Sequence, residues 1–406
     1  MNILLLCNKS PWPLSEGGPI AMYAIINGLL KAGHKVKVLA ANTNKYFVNP
    51  ASIPRDFAES TRIEFATIDL SIKPLGAIYN YLKGTSYHVS RFRNKEFEQK
   101  LVSILKQEEF DVIQTEMIYT TIYLDVIKRY SNAKIVLRAH NIEHLIWKRL
   151  AGNSRNFLRK HYLEHLFRTL RDYELSIIRQ VDGIVAITET DAVFFRQYSG
   201  KVPVISVPYG IDPEFFPVPS GLPSPPDLFH IGSMNWLPNE EGIRWFLDNV
   251  WPDVSKGFPN LTLYLAGRTM PDWLNKLHIK GVMVAGEVPD AWEFIQKHAV
   301  MVVPLFSGSG IRIKIIEAMT AGRVVIATSI GAEGINYKNG LHLMIADSKE
   351  DFIKVIGLVM ANPVLRKSLG ENARKLMESQ HDNRQLMIRL TGFYQALISG
   401  GRIQSE

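Results

Sequence analysis

Hydrophobic residues in this chain gather in short runs, and between the runs lie longer stretches with apolar residues three and four apart. Short apolar runs bounded by turn residues read as buried strands, and the longer spacing reads as helices covering them. In the first half the runs fall at 3–7, 35–40, 112–115, 134–138, 183–187 and 204–207, and residues 20–32 form one intervening helix that Gly33 stops. This alternation predicts a doubly wound, mostly parallel sheet. A dense set of prolines follows: Pro208, Pro213, Pro217, Pro219, Pro223, Pro225 and Pro226. Such a segment cannot be a helix interior or a central strand, so it reads as a linker. The alternation then restarts with runs at 228–231, 261–266, 282–284, 300–305 and 324–328. Three helical segments close the chain, at 350–361, 364–379 and 383–398, with no strand after them. The expectation is an α/β chain of two Rossmann-like doubly wound domains, residues 1–208 and 209–382, facing across a cleft. Residues 383–406 would cross back to the first domain.

The most informative stretch is 302–334. An apolar run breaks into Ser307-Gly308-Ser309-Gly310, then a helical pattern begins, then a second apolar run follows. A glycine loop feeding a helix start exposes unpaired N–H groups and the positive end of the helix dipole, which together make an anion site. Counting about 100° per residue from Gly310, Lys314, Glu317 and Ala321 share one stripe, while Ile311, Ile315, Ala318 and Met319 share the opposite, core-packing side. Gly322 is placed to end the helix. A cation and a carboxylate would then project beside the anion-binding loop. The plain alternative is a solvent-facing Lys–Glu pair three residues apart.

Near the N-terminus, Ser15-Glu16-Gly17-Gly18-Pro19 forms a second glycine loop at a helix start. It lacks the G-x-G-x-x-G spacing of dinucleotide binders. The run 134–138 leads into Ala139-His140-Asn141-Ile142-Glu143-His144, which matches H-x-x-E-H read literally. Zinc chemistry needs both histidines on one established helix, whereas His140 directly follows an apolar strand. A histidine at a strand's carboxyl end suits hydrogen bonding to a ligand, or a structural role, better than metal binding.

Composition narrows the class. The 406 residues carry a net charge of +8, unevenly: residues 1–217 hold +7 and the remainder +1. Much of the excess lies in Lys148, Arg149, Arg155, Arg159, Lys160, Arg168 and Arg171, with only Glu164 opposing them. A basic helical surface suits anionic lipid headgroups or a phosphate-bearing acceptor, or is a solvated face. No nucleic-acid motif accompanies it, so nucleic acid is not an expected partner. Met1 runs straight into an apolar strand without a basic leader, no stretch reaches the ~18 apolar residues of a membrane span, and the single Cys7 excludes a disulfide framework. A cytoplasmic protein is expected, with peripheral contact at the inner face of an anionic membrane.

Taken in order, Gly17-Gly18, His140, VDGIVAIT (181–188), PYGIDPEFF (208–216) and the glycine loop and helix ending in Glu317-Ala318-Met319 resemble the retaining, nucleotide-sugar-dependent glycosyltransferases of GT-B fold, group 1 or family 4-like. The resemblance covers nearly the whole chain. It implies that Gly17 and Gly18 contact the donor phosphates or the reaction centre, and that His140 bonds the transferred sugar. It further implies that the amides of Gly308, Ser309, Gly310 and Ile311 hold diphosphate and that Glu317 takes the ribose hydroxyls. The backbone near Gly286-Glu287-Val288 would hold the nucleobase.

The chain also departs from that pattern. The family's arginine after the first strand of the second domain is replaced by Gly232-Ser233, its lysine eight residues on by Glu241-Gly242, and its first acidic partner by Ser309. The expectation is that the cations have moved: Lys314 replaces the lost charge on the diphosphate, Arg268 is a further candidate, and Arg312 either joins them or braces the loop. The implied reaction moves a hexose from a nucleoside diphosphate sugar, UDP- or GDP-linked, to a glycan or lipid-linked acceptor in bacterial surface polysaccharide synthesis. No cofactor or metal is expected, since no D-x-D pair is present. Two rivals use the same fold: an epimerase or hydrolase acting without acceptor, and an inactive donor-binding scaffold.

Overall fold

The computed structural model describes residues 1–14, 17–152, 156–212, 221, 223–308 and 310–401, with the backbone alone at Leu158. Ser15, Glu16, Arg155, Ser309, Pro213, Pro217, Pro219 and the PEFF end of the 208–216 phrase therefore lie outside the described residues. The chain divides into two compact units, Met1–Gly210 with Asn383–Glu406, and Ile211–Asp382.

Unit 1 is a seven-stranded sheet made of β1 (Asn2–Cys7), β2 (Lys35–Thr43), β3 (Glu64–Ile68), β4 (Val112–Glu116), β5 (Lys134–Ala139), β6 (Gly183–Ala186) and β7 (Val204–Ser206). Its order is β3-β2-β1-β4-β5-β6-β7, and every pairing is parallel. Unit 2 contains β8 (Leu228–Ile231), β9 (Leu263–Ala266), β10 (Val282–Gly286), β11 (Val300–Val303), β12 (Val324–Ala327) and β13 (Met344–Ile345) in the order β10-β9-β8-β11-β12-β13, again all parallel. Both orders reverse beside the first strand of the unit, between β1 and β4 and between β8 and β11. Sheets of this kind place ligands outside the carboxyl ends of their strands at that switch point.

The strands are buried because helices cover both faces. In unit 1, β1 contributes Leu4 and Leu6 to one core and Ile3, Leu5 and Cys7 to the other. The helix Asn383–Ser399 belongs to unit 1 and lies on the second core through Leu386, Leu390, Phe393 and Tyr394. Two glycines let it approach. A methyl on Gly28 would lie 2.6 Å from the Met387 sulfur, and one on Gly183 would lie 2.8 Å from both Leu397 and Phe393. The Tyr394 hydroxyl donates to the Gln114 side chain, tying this helix to the middle of the sheet.

Candidate functional site

In unit 2 the carboxyl ends of β8, β9 and β10 are drawn together by three glycines. Gly232 donates its N–H to Ala266 (3.1 Å) and Gly267 donates to Gly286 (2.8 Å). A methyl on Gly267 would fall 1.8 Å from the Gly232 carbonyl oxygen, so no side chain fits there. Beside this seam sits the Lys314 ammonium, 3.0 Å from where a Gly232 methyl would stand. Lys314 Nζ donates to Asn239 Oδ1 (2.8 Å) and approaches His230 Nε2 at 3.2 Å. His230 is fully buried in β8, and its Nδ1 lies 2.7 Å from the Val302 carbonyl. That carbonyl can only accept, so Nδ1 carries the proton and Nε2 is left to accept from Lys314. Burial and the Lys314 charge push His230 well below the usual histidine range, which keeps it neutral. Burial, followed by the nearby Arg312, lowers Lys314 well below an ordinary lysine. Asn239 Nδ2 also donates to the Ser233 carbonyl (2.9 Å), and Ser233 Oγ bonds Asn235 (2.7 Å), so the loop after β8 is held to the same cluster.

The helix carrying Lys314 spans Ile313–Thr320, later than the sequence suggests. Gly310 has φ +80°, a left-handed conformation that cannot continue into a helix, and Arg312 is extended at the N-cap. Gly310 is therefore not on the Lys314–Glu317 stripe, and Ile311 precedes the helix half-buried. Ala321 is buried at the C-cap, so it too leaves the exposed stripe. Ile315, Ala318 and Met319 occupy the core face, and Gly322 follows the helix at φ +68°. Among the described residues no ion pair joins Lys314 to Glu317: Lys314 turns toward Asn239 and His230, which removes the surface-pair reading.

Glu317 is partly buried. Burial first, and then the Asp290 carboxylate, push it up to about 7. Asp290 is itself fixed as the N-cap of the helix Ala291–Lys297, accepting from Trp292 N (2.7 Å) and Glu293 N (3.1 Å). Arg312 is buried, donates to the Gly310 carbonyl (2.5 Å) and lies over the Trp236 ring at 5.0 Å. Gly308, at φ +109°, leaves its missing methyl 2.8 Å from Trp236 and 2.9 Å from Arg312 Nη2. Arg312 and Trp236 thus buttress the glycine loop from beneath. Arg268 is exposed and pairs with Glu287 (3.2 Å), next to half-buried Val288 at the end of β10.

In unit 1, Gly17 and Gly18 open the helix Gly17–Lys31 instead of preceding it, because Pro19 is compatible with a first helical turn. A methyl on Gly18 would lie 2.9 Å from Lys9 Cε. His140, nearly buried after β5, bonds the Glu116 carboxylate through Nε2 (2.6 Å). Glu116 also accepts from Arg138 (3.1 Å) and from Gln114 (2.6 Å). Burial alone would raise Glu116, but the Arg138 charge and the His140 hydrogen bond hold it below the usual carboxylate range. Burial keeps His140 below its ordinary value despite Glu116. His140 is thus a neutral ring donating from Nε2, with Nδ1 kept as an acceptor. Glu143 and His144 do not join it: Glu143 bonds Tyr119 (2.8 Å) and His144 bonds Glu174 (2.5 Å).

Sequence reasoning missed Lys9, Glu116, Arg138, His230 and Asn239. Glu116 and Arg138 are Cα partners in the β4–β5 register, which only strand pairing reveals. His230 was legible as the one polar residue in the apolar run LFHI.

Residues 225–362 match the family described as Glycosyl transferases group 1, and residues 16–215 match Glycosyltransferase Family 4. An uncharacterized 44.6 kDa protein in the cps region of Klebsiella pneumoniae is 22% identical over 404 residues, covering 95% of this chain and 97% of its own. Sucrose-phosphate synthase from Thermosynechococcus elongatus superposes with a TM-score of 0.71 at 15% identity, over 99% of this chain and 100% of that one. HepE from Anabaena, in complex with UDP, gives 0.67 at 14% identity over 98% and 100%. TarM from S. aureus, in a complex that includes UDP, gives 0.69 at 11% over 97% and 100%. At these identities the likeness concerns the fold, two α/β units of the GT-B class.

Proposed function

Because the chain belongs to the group 1, family 4-like glycosyltransferases, we propose that it is a retaining hexosyltransferase using a nucleoside diphosphate sugar. The donor is UDP- or GDP-linked, and the acceptor is a glycan or lipid-linked sugar of a bacterial surface polysaccharide. The observation that carries this reading is the Lys314 ammonium, set beside Gly232 by Asn239 and His230 at the carboxyl end of β8. A strongly hydrogen-bonded cation at a switch point, flanked by a glycine loop and by Glu317, suits a leaving diphosphate and its ribose. UDP in the Anabaena and S. aureus structures, and UDP-glucose in a second Anabaena structure, favour UDP as the first donor to try.

In this reading the bond between the sugar's C1 and the β-phosphate oxygen breaks while the acceptor oxygen attacks the same face. The departing phosphate takes the acceptor's proton. Negative charge grows on the diphosphate, and Lys314 with the loop amides stabilises it, so no metal or other cofactor is required. His140 is assigned to the transferred sugar. The cations of helices Glu143–Gly152 and Phe157–Ile177 would hold the protein at an anionic membrane surface where a lipid-linked acceptor resides.

The test is a donor panel of UDP-, GDP- and ADP-sugars, with and without polyprenyl-linked acceptors and with EDTA present, followed by NMR of the product's anomeric configuration. Acceptor-dependent transfer with retention is expected. Donor turnover without acceptor would replace this reading by the epimerase or hydrolase. Binding without turnover for every donor and acceptor would leave the scaffold.

A further inference from the structure

The helix Pro74–Lys83 is amphipathic the wrong way round. Leu75, Ile78, Tyr79 and Leu82 stand at i, i+3, i+4 and i+7, the spacing of a buried stripe, yet all face solvent. Leu75 is 84% exposed, Leu82 is 79% exposed, and the preceding Ile72 is 74% exposed. The inner face is small and polar instead. A methyl on Gly76 would lie 3.3 Å from the Tyr87 ring, and buried Asn80 donates to the Gly76 carbonyl (2.8 Å) and accepts from Thr85 (2.8 Å). The Lys73 N–H donates to the Tyr87 hydroxyl (2.8 Å), so the helix cannot roll its apolar side inward without breaking these bonds.

Its neighbours carry positive charge. Tyr81 packs on His165 with ring centroids 4.2 Å apart, which sets this helix alongside Phe157–Ile177. That second helix exposes Arg159, Lys160, Arg168 and Arg171, of which Arg168 pairs with Glu164 (3.9 Å) and Arg171 with Asp172 (3.4 Å), so its outward positive charge lies at the Arg159–Lys160 end. Lys73 and Lys83 flank the apolar stripe itself, with the Lys83 ammonium 4.6 Å from the Tyr79 ring centroid. Exposed apolar side chains ringed by cations are complementary to acyl chains beneath anionic headgroups. A soluble protein partner would have to match both the stripe and the cations Lys83, Arg159 and Lys160 near it, whereas Lys73 is paired with Asp69 (3.6 Å).

We infer that the helix Pro74–Lys83 lies in the interfacial plane of an anionic bilayer, with Ile72, Leu75, Ile78, Tyr79 and Leu82 inserted below the headgroups. This rests on the membrane-surface reading above and names the element that inserts. The basic helix Phe157–Ile177 draws the protein to the surface, and Pro74–Lys83 anchors it there.

The experiment uses the full chain with Leu82→Cys carrying an environment-sensitive fluorophore. Native Cys7 is buried and will not compete for the label. On phosphatidylcholine vesicles carrying about a third phosphatidylglycerol, the label should brighten and shift to the blue, with no change on phosphatidylcholine alone. In sedimentation, Leu75→Ser/Leu82→Ser should lose about tenfold or more in partitioning while staying within a few degrees of the wild-type melting temperature, since both side chains are about four-fifths exposed already. If the wild type sediments with anionic vesicles but the label stays aqueous, insertion is wrong and electrostatic adsorption alone stands. Binding to neither vesicle overturns both ideas. A wild type that dimerises in sedimentation velocity while the double variant is monomeric would assign the stripe to a second copy of this chain instead.

Discussion

Removing the Lys314 charge should cost turnover without costing the fold. A cation ~4 Å from a phosphoryl charge interacts by roughly 4 kcal/mol at an effective dielectric of about 20. Most of that becomes useful only as the leaving diphosphate gains charge, so a loss of ~3 kcal/mol, about a hundredfold in kcat, is expected for Lys314→Met. Methionine keeps most of the side chain's length without the charge. The variant removes an ammonium that burial disfavours but leaves the acceptors Asn239 Oδ1 and His230 Nε2 without a donor, so the two effects oppose and its melting temperature should stay within about 4 °C of the wild type. The pH profile supplies an independent reading. Lys314 acts as the protonated form, and its value in the free enzyme is depressed, so kcat/KM should fall on an alkaline limb placed below the ~10.4 of an ordinary lysine. Lys314→Arg should move that limb upward, because guanidinium keeps its proton. Steady-state kinetics with the active donor, together with UDP titration calorimetry, measure all of this. A Lys314→Met enzyme that keeps more than half its kcat and its UDP affinity would refute the relocated cation.

Other contacts make equally specific demands. Glu317 rises from 4.5 to about 7 on folding, so the folded state holds an extra proton between those values and loses stability as pH rises through them. Glu317→Gln should therefore melt higher than the wild type at pH ~8 and equally near pH ~4, by roughly 2–4 °C per kcal/mol for a domain of this size. It should also weaken UDP binding most above pH ~7, where the wild-type carboxylate is ionised and can accept from ribose hydroxyls. Glu116→Ala should destabilise unit 1 by about 3–5 kcal/mol in urea melts, because Arg138 is left buried without its partner, whereas His140→Ala should cost activity with a much smaller loss of stability. Gly267→Ala would drive a methyl into the Gly232 carbonyl, and it should lower both urea midpoint and donor affinity together. Unchanged affinity in a folded Gly267→Ala protein would separate the glycine seam from the donor site.

The alternation of apolar runs and helical spacing was legible because strands buried on both faces need no side-chain alternation and stand out as continuous runs. The two strands it missed have physical reasons. β3 (Glu64–Ile68) reads EFATI, an edge strand with Thr67 exposed, and β13 is only Met344–Ile345. Within the site, Lys314 could be singled out because helical spacing is local information. Asn239 could not, and His230, visible as a polar residue in LFHI, could not be linked to it, since they lie 75 and 84 residues away and meet it only when β8 and β11 pair. The same holds for His140. Its position after a strand is visible in the sequence, but the Glu116 that fixes its tautomer comes from the neighbouring strand.

In the proposed reading, Lys314 takes the place of an arginine after Gly232. A methyl on Gly232 would lie 2.8 Å from Asn239 Nδ2 and 3.0 Å from the Lys314 ammonium, so the loop after β8 runs directly against that cation. A cationic side chain from position 233 reaching the same anion would meet Lys314 as a like charge, which disfavours both. Ser233→Arg in the wild-type background should therefore lower UDP affinity or leave it unchanged. In the Lys314→Met background the same substitution meets no like charge, with Asn239 Oδ1 and His230 Nε2 left without their donor, and the introduced guanidinium can supply one. It should recover about tenfold or more of the lost kcat, a coupling of ~1.4 kcal/mol or more between two positions 81 residues apart in sequence. A full double-mutant cycle in kcat and in UDP affinity measures it. Additive effects, with Ser233→Arg as harmful in the Lys314→Met enzyme as in the wild type, would mean that the two cations never served the same anion.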